Sequence, residues 1–232
     1  VYAIDNGADV INMSFGRYAR CQAVEDALAN AFGSAVLVAA AGNDGRINLP
    51  CPFGANHYPA AYNWVLGVMS RNEFSNADGN YLSGFSNYDC TAKDLQEYEV
   101  MAPGAAIYST LPFGGYGAWS GTSMATPVIA GMAALARTRW SDKSVYSSRF
   151  IMGQIAATGP MLGAYRNADG FESLNSVPQP SLSYLEHWLF DTTDVHADNN
   201  PNGLVDAGET VDLAIVIRNH WGKADNVQAT LE

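Results

Sequence analysis

"SAVLVAAAGND", Ser34 to Asp44, runs through seven consecutive apolar residues before it meets glycine, asparagine and aspartate. A strand with one wet face alternates apolar and polar side chains. This one does not, so both of its faces must be covered, as in a parallel sheet sandwiched between helices. The flanks agree. Upstream, "CQAVEDALANAFG" sets Val24, Ala27, Leu28 and Ala31 on one helical face, and Gly33 ends the helix. Before it, "ADVINMSFG" reads as another buried strand that runs into a loop of small residues. Downstream come "WVLGVMS", a polar hairpin-like stretch, and "EVMAPGAAIYST". A helix is expected from about Ser123 to Arg137, and another near residues 144–157. Strands alternating with helices predict an α/β fold with a parallel sheet over residues 1–175.

After "NSVPQPSLS" the pattern changes. Two prolines among serines and a glutamine predict a linker over residues 176–186. Beyond it, "TVDLAIVIRN" and "NVQATLE" alternate like antiparallel strands, with "HWGKAD" as the turn between them. Two strands cannot bury a core alone. Residues 187–232 are therefore expected to begin a second, β-type domain, and the segment "DNNPNGLVDAGE" resembles the openings of β-sandwich modules, which implies a β-sandwich accessory domain.

The chain has 232 residues, 48% of them hydrophobic, and a net charge of −11. That balance argues against nucleic acid or an anionic membrane surface as partner, since each calls for a basic patch. It suits a secreted or cell-surface protein. No apolar run approaches the roughly 20 residues that span a bilayer. Val1 opens within an apparent helix, without an initiator methionine or a signal-peptide pattern, and is expected to be an internal cut. Three cysteines cannot all pair within one chain. Cys51 and Cys90 lie in polar loops and could bridge; Cys21 opens a helix and is expected to be free or paired upstream.

Three segments carry chemistry. In "GTSMATP", small neighbours leave room beside Ser123, and a helix start directs backbone N–H groups at whatever reacts there. Asn43 stands just past a buried strand, where open α/β sheets place their active groups, and its carboxamide could donate to an oxyanion. The backbone of Ser14 to Gly16 could pair with an extended peptide as an added strand does. Taken singly, each has a plainer reading: a serine at a helix start is usually an N-cap, and an asparagine after a strand a turn residue.

Taken together, "GADVINMSFG", "VAAAGNDG", "YPAAYNWVLGV", "VMAPGAAIYST" and "GTSMATPVIAGMAAL" resemble the successive signature segments of the subtilisin-like serine proteases, in that family's order and over about residues 1–160. The resemblance implies a serine endopeptidase acting on polypeptides, with Ser123 as nucleophile and Asn43 as the oxyanion-hole side chain. It implies that Ser14, Phe15 and Gly16, facing Ala40, Ala41 and Gly42, line the cleft for the residue before the scissile bond. Asp44 would stand at its rim, where a carboxylate could favour basic residues. No organic cofactor is implied.

The family's aspartate and histidine precede its serine, in contexts that this chain lacks. His57 lies in "GANHYPA" and reads as a surface loop residue; His187, His196 and His220 lie beyond the linker. Val128 departs from a histidine often found after the serine-helix proline. The resemblance thus implies a fragment, inactive alone, whose partner is the upstream part of its own catalytic domain. The rival reading is a non-catalytic relative that acts as a calcium-dependent binding or adhesion module.

A second constellation lies in "DNNPNGLVDAGE". Asp198, Asn200 and Asn202 supply oxygens at alternate positions, Gly203 permits a sharp turn, and Leu204, Asp206 and Glu209 fall at the seventh, ninth and twelfth places of a calcium loop. A strand follows where the helix of such a loop should be. Calcium binding and a hydrated polar turn both fit.

Overall fold

The computed structural model describes residues 1–47, 55–77, 79, 81–89 and 98–176, and the backbone of two further strands at 181–190 and 212–221. The chain divides into two units, Val1–Gln179 and Pro180–Glu232.

In the first unit a short helix α1 (Tyr2–Asp5) leads to β1 (Val10–Met13), α2 (Gln22–Phe32), β2 (Val36–Ala40), β3 (Val65–Arg71) and β4 (Val100–Pro103). These strands form one sheet in the order β1-β2-β3-β4, parallel throughout. Every residue of β2 is buried, as its unbroken apolar run predicts. Leu37 and Ala39 join Ala31 of α2 and Met13 of β1 in one apolar cluster, with Leu28 and Phe32 packed against it. Val24, on the expected buried face of α2, is exposed; only the later turns of that face reach the sheet. Side chains alternate along a strand, so Val36 and Val38 face the other way.

An antiparallel hairpin, β5 (Ile107–Thr110) and β6 (Tyr116–Trp119), delivers the chain to α3 (Thr122–Arg139), which packs against all four strands. Next come α4 (Ser148–Thr158), the small ladder β7 (Met161–Leu162) and β8 (Tyr165–Arg166), and α5 (Gly170–Asn175). Helix α4 starts later than its apolar pattern suggests. Asp142 holds a turn through the Ser144 backbone N–H and hydroxyl, and Ser147 then caps the helix by accepting from the Phe150 N–H.

Two surfaces of this unit stand out. The sheet ends at β1, whose outer edge pairs with no other strand among the described residues. Along α3, Pro127, Val128, Gly131, Ala134 and Leu135 share one exposed side, with Leu135 59% exposed.

In the second unit, β9 (Ser181–Phe190) pairs antiparallel with β10 (Asp212–Trp221). Residues 181–186, expected in the linker, belong to β9: after Pro180 the order Ser181, Leu182, Ser183, Tyr184 already alternates. His220 and Trp221, expected in a turn, end β10. The "NVQATLE" segment lies outside the described residues. No helix among the described residues is long and apolar enough to cross a membrane.

Candidate active site

The register Met13↔Ala39 brings the ends of β1 and β2 nearly level, so Ser14 leaves the sheet beside Ala40, the last residue of β2, at the carboxyl end. The start of α3 meets them there. Gly121, extended and without a side-chain cap, is the N-cap; Ser123 is the second residue of the helix. The capping role that a lone serine would suggest is therefore not its position.

The first four N–H groups of a helix have no partner inside it. Here the Thr122 N–H donates to Asn43 Oδ1 (2.8 Å), and those of Met124 and Ala125 both reach the Gly121 carbonyl. The Ser123 N–H is the donor of that turn left for an incoming acceptor. Pro127, inside α3, has no N–H for the carbonyl four residues back, which is that of Ser123. Ser14 Oγ fills the vacancy, donating to the Ser123 carbonyl at 2.9 Å. Ser123 Oγ in turn donates to the Ser14 carbonyl at 3.2 Å. Nucleophile candidate and β1 exit are thus tied by two crossed hydrogen bonds.

Thr122 has no part in the sequence reading, yet it organises this corner. Fully buried, its Oγ1 donates to Asn43 Oδ1 (2.9 Å) and accepts the Gly42 N–H (3.2 Å). With two donors on its oxygen, the Asn43 carboxamide has only one sensible orientation, and its NH₂ end is the one available to a ligand. Asn43 is exposed. Two available N–H donors, Asn43 Nδ2 and the Ser123 backbone, are thereby held at the start of α3 through Thr122. That arrangement can stabilise negative charge developing on a carbonyl oxygen as the hydroxyl adds to its carbon. Thr122→Val keeps the shape and removes the hydroxyl. It should lower stability by about 1–3 kcal/mol, because the Gly42 N–H loses its acceptor, and should reduce kcat more than it raises KM. Denaturant melts and steady-state kinetics on the full-length protein check both.

The two expected cleft walls differ in character. Ser14 is partly buried, Phe15 is 65% exposed and Gly16 is exposed. Opposite, Ala40 and Ala41 are buried, with Ala41 in the apolar cluster. Their carbonyls are occupied from behind, Ala40 by His57 Nδ1 (3.2 Å) and Ala41 by Asn87 Nδ2 (2.8 Å). Gly42 is held by Thr122 on its N–H and by the Asn87 N–H on its carbonyl. That wall is rigid backbone. Asp44 at the rim accepts the Tyr18 hydroxyl at 2.5 Å, so its carboxylate is already engaged. Tyr18 also accepts from Asn87 Nδ2, and burial, then the bond to Asp44, raises its pKa.

His57, expected on the surface, is only 8% exposed. Tyr18 meets its ring edge-on, with centroids 5.2 Å apart. A carbonyl only accepts, so Nδ1 carries the hydrogen toward Ala40. Burial pushes the His57 pKa below 6.5, outweighing the Ala40 bond and the Asp44 charge, which both raise it. Between that lowered value and 6.5 the unfolded chain binds a proton that the native state refuses. Stability should therefore fall as pH drops below about 6.5. Melting temperatures of wild type and His57→Gln at pH 7.5 and 5.5 check this; the variant should lose less on acidification.

Ser123 also lines an open pocket that the β5–β6 hairpin and α3 form with Ile107, Leu111, Trp119, Met124 and Pro127. Cys21 is a free thiol, whereas Cys51 and Cys90 lie outside the described residues. So does the calcium-loop candidate, Asp198 to Glu209. Among the described residues no group of three His, Cys, Asp or Glu side chains could hold a metal ion.

Comparison with known proteins matches this chain to a family. The model of the subtilase family matches residues 1–170. Subtilisin amylosacchariticus of Bacillus subtilis subsp. amylosacchariticus is 40% identical over 148 residues, 62% of this chain and 35% of its own length. Thermitase of Thermoactinomyces vulgaris is 39% identical over 135 residues, 58% of this chain and 42% of its own. Among solved structures, the self-cleaved protease domain of PatA superposes with a TM-score of 0.61 at 26% identity, covering 76% of this chain and 64% of that one. A protease of Pseudoalteromonas arctica gives 0.58 at 27% identity, covering 73% of this chain and 51% of that one. The chain thus spans between a third and a half of these two curated relatives. It belongs to the subtilase family, the serine proteases of subtilisin type.

Proposed function

We propose that residues 1–175 carry the nucleophile and the oxyanion-binding groups of a serine endopeptidase that cleaves polypeptides through an acyl-enzyme on Ser123. The observation that carries this reading is the junction at Thr122, which fixes Asn43 beside Ser123 with its NH₂ end available. An extended peptide would pair along Ser14 to Gly16 and set its scissile carbonyl between the two N–H donors. Ser123 Oγ bonds to the carbonyl carbon as its proton passes to a general base. The negative oxygen is held by Asn43 Nδ2 and the Ser123 N–H. Collapse breaks the C–N bond, the departing amine takes the proton, and water then hydrolyses the acyl ester.

The base and the carboxylate that orients it are assigned to a segment outside residues 1–232. The described histidine side chain, His57, is committed to Ala40, which leaves no described base at Ser123. The open edge of β1 and the exposed apolar side of α3 support such a segment completing the sheet. On this reading residues 1–232 by themselves hydrolyse almost nothing. The net charge of −11 supports an extracellular or cell-surface setting.

A fluorophosphonate probe on the full-length protein tests the assignment. It should attach to Ser123, located by mass spectrometry of the labelled peptide. Folded full-length protein that takes up no label at Ser123 contradicts it.

A further inference from the structure

The proposed carbonyl site settles where the neighbouring substrate side chain must go. A carbonyl held by Asn43 and Ser123 belongs to a residue lying between the two strand exits, because Ser14 is tied to Ser123 on one side and Gly42 precedes Asn43 on the other. Its side chain would descend between Gly16 and Gly42. That space is already taken. A Cβ built on Gly16 would stand 2.3 Å from His57 Cε1 and 2.7 Å from Nδ1. One built on Gly42 would stand 3.1 Å from His57 Cγ and 3.2 Å from Cδ2. The imidazole therefore lies between the two glycines: Gly16 must lack a side chain to admit it, whereas at Gly42, with φ at +103°, a Cβ would first meet Asn87 Nδ2 at 2.3 Å. It is anchored there at the Ala40 carbonyl, with Tyr18 against its edge and the His57 N–H donating to Tyr98 Oη at 2.9 Å.

We propose that His57 is the specificity-determining residue of this cleft, filling the space between Gly16 and Gly42 so that the protein cleaves after small residues such as alanine, serine and glycine. The inference rests on the serine-endopeptidase reading. Leucine or phenylalanine at that position would have to displace a buried, hydrogen-bonded ring. Displacing it would cost the Ala40 hydrogen bond and the Tyr18 contact.

The test uses the full-length protein and peptide p-nitroanilides identical except for the residue before the scissile bond, which is alanine, serine, leucine or phenylalanine. Wild type should favour alanine and serine over leucine and phenylalanine by about tenfold or more in kcat/KM, the scale on which a pocket discriminates by size. His57→Gly should raise the phenylalanine-to-alanine ratio by about tenfold or more, and a ratio cancels any loss of folded protein. A wild type that favours leucine or phenylalanine overturns the inference, as does a ratio that His57→Gly leaves unchanged; in both cases the serine-endopeptidase reading stands. Hydrolysis of none of the four substrates, together with no label on Ser123, overturns both. The wild-type profile needs no variant, so it decides the matter even where His57→Gly fails to fold.

Discussion

Ser123→Ala in the full-length protein is expected to abolish peptide hydrolysis, with kcat falling by about 10⁴ to 10⁶-fold, a scale that comes from subtilisin itself rather than from this chain. The cause is the loss of the atom that forms the covalent bond in the proposed mechanism. The fold should barely register the change. Ser123 Oγ makes one hydrogen bond, to the Ser14 carbonyl at 3.2 Å, while the bond that Ser14 Oγ donates to the Ser123 carbonyl survives the substitution. A single partly buried hydrogen bond contributes about 1 kcal/mol. Activity should thus vanish from a protein whose melting temperature shifts by a few degrees at most. Steady-state kinetics with a thermal melt on the same preparation checks this. Hydrolysis by Ser123→Ala at near wild-type rate would show the nucleophile to lie elsewhere.

The second large effect is expected at Asn43. Asn43→Asp retains an oxygen for the Thr122 N–H and hydroxyl, so the local structure should hold. It replaces the outward NH₂ by an acceptor with a negative charge, facing the position where the carbonyl oxygen itself becomes negative. In subtilisin, removing the equivalent donor costs about 10²–10³ in turnover, and that figure is taken over here as a lower limit. The loss should fall on kcat with little change in KM, because the missing interaction is formed mainly in the transition state. Asn43→Ala separates the two contributions. It removes the donor without adding charge, so it should retain more turnover than Asn43→Asp, but it strips Thr122 of its acceptor and should be the less stable of the two. A fall in both variants expressed mainly in KM would place Asn43 in ground-state binding instead.

Much of the fold was legible because its signals are local. The uncharged run from Ala35 to Ala41 could only be a strand covered on both faces, and β2 is buried from end to end. The apolar spacing of "CQAVEDALANAFG" and the helix formers after Ser123 marked α2 and α3. Where the local signal was mixed, boundaries moved. Pro178 and Pro180 drew the linker too far, across serines and apolar residues that alternate as the start of β9.

By itself, then, the amino-acid order determined the parallel α/β arrangement, the strand ends and the helix start at which Ser14, Asn43 and Ser123 sit, since strand and helix periods and the short motifs around those residues are written within a few positions of each other. Tertiary structure alone decided which way the Asn43 carboxamide faces, that Ser14 replaces the hydrogen bond Pro127 cannot make, and that His57 is buried between Gly16 and Gly42. The physical reason is separation along the chain. Thr122 and Asn43 are 79 positions apart, and Ser14 and Ser123 are 109 apart. A hydrogen bond depends on where two atoms finish in space, and no periodicity in either segment records its partner.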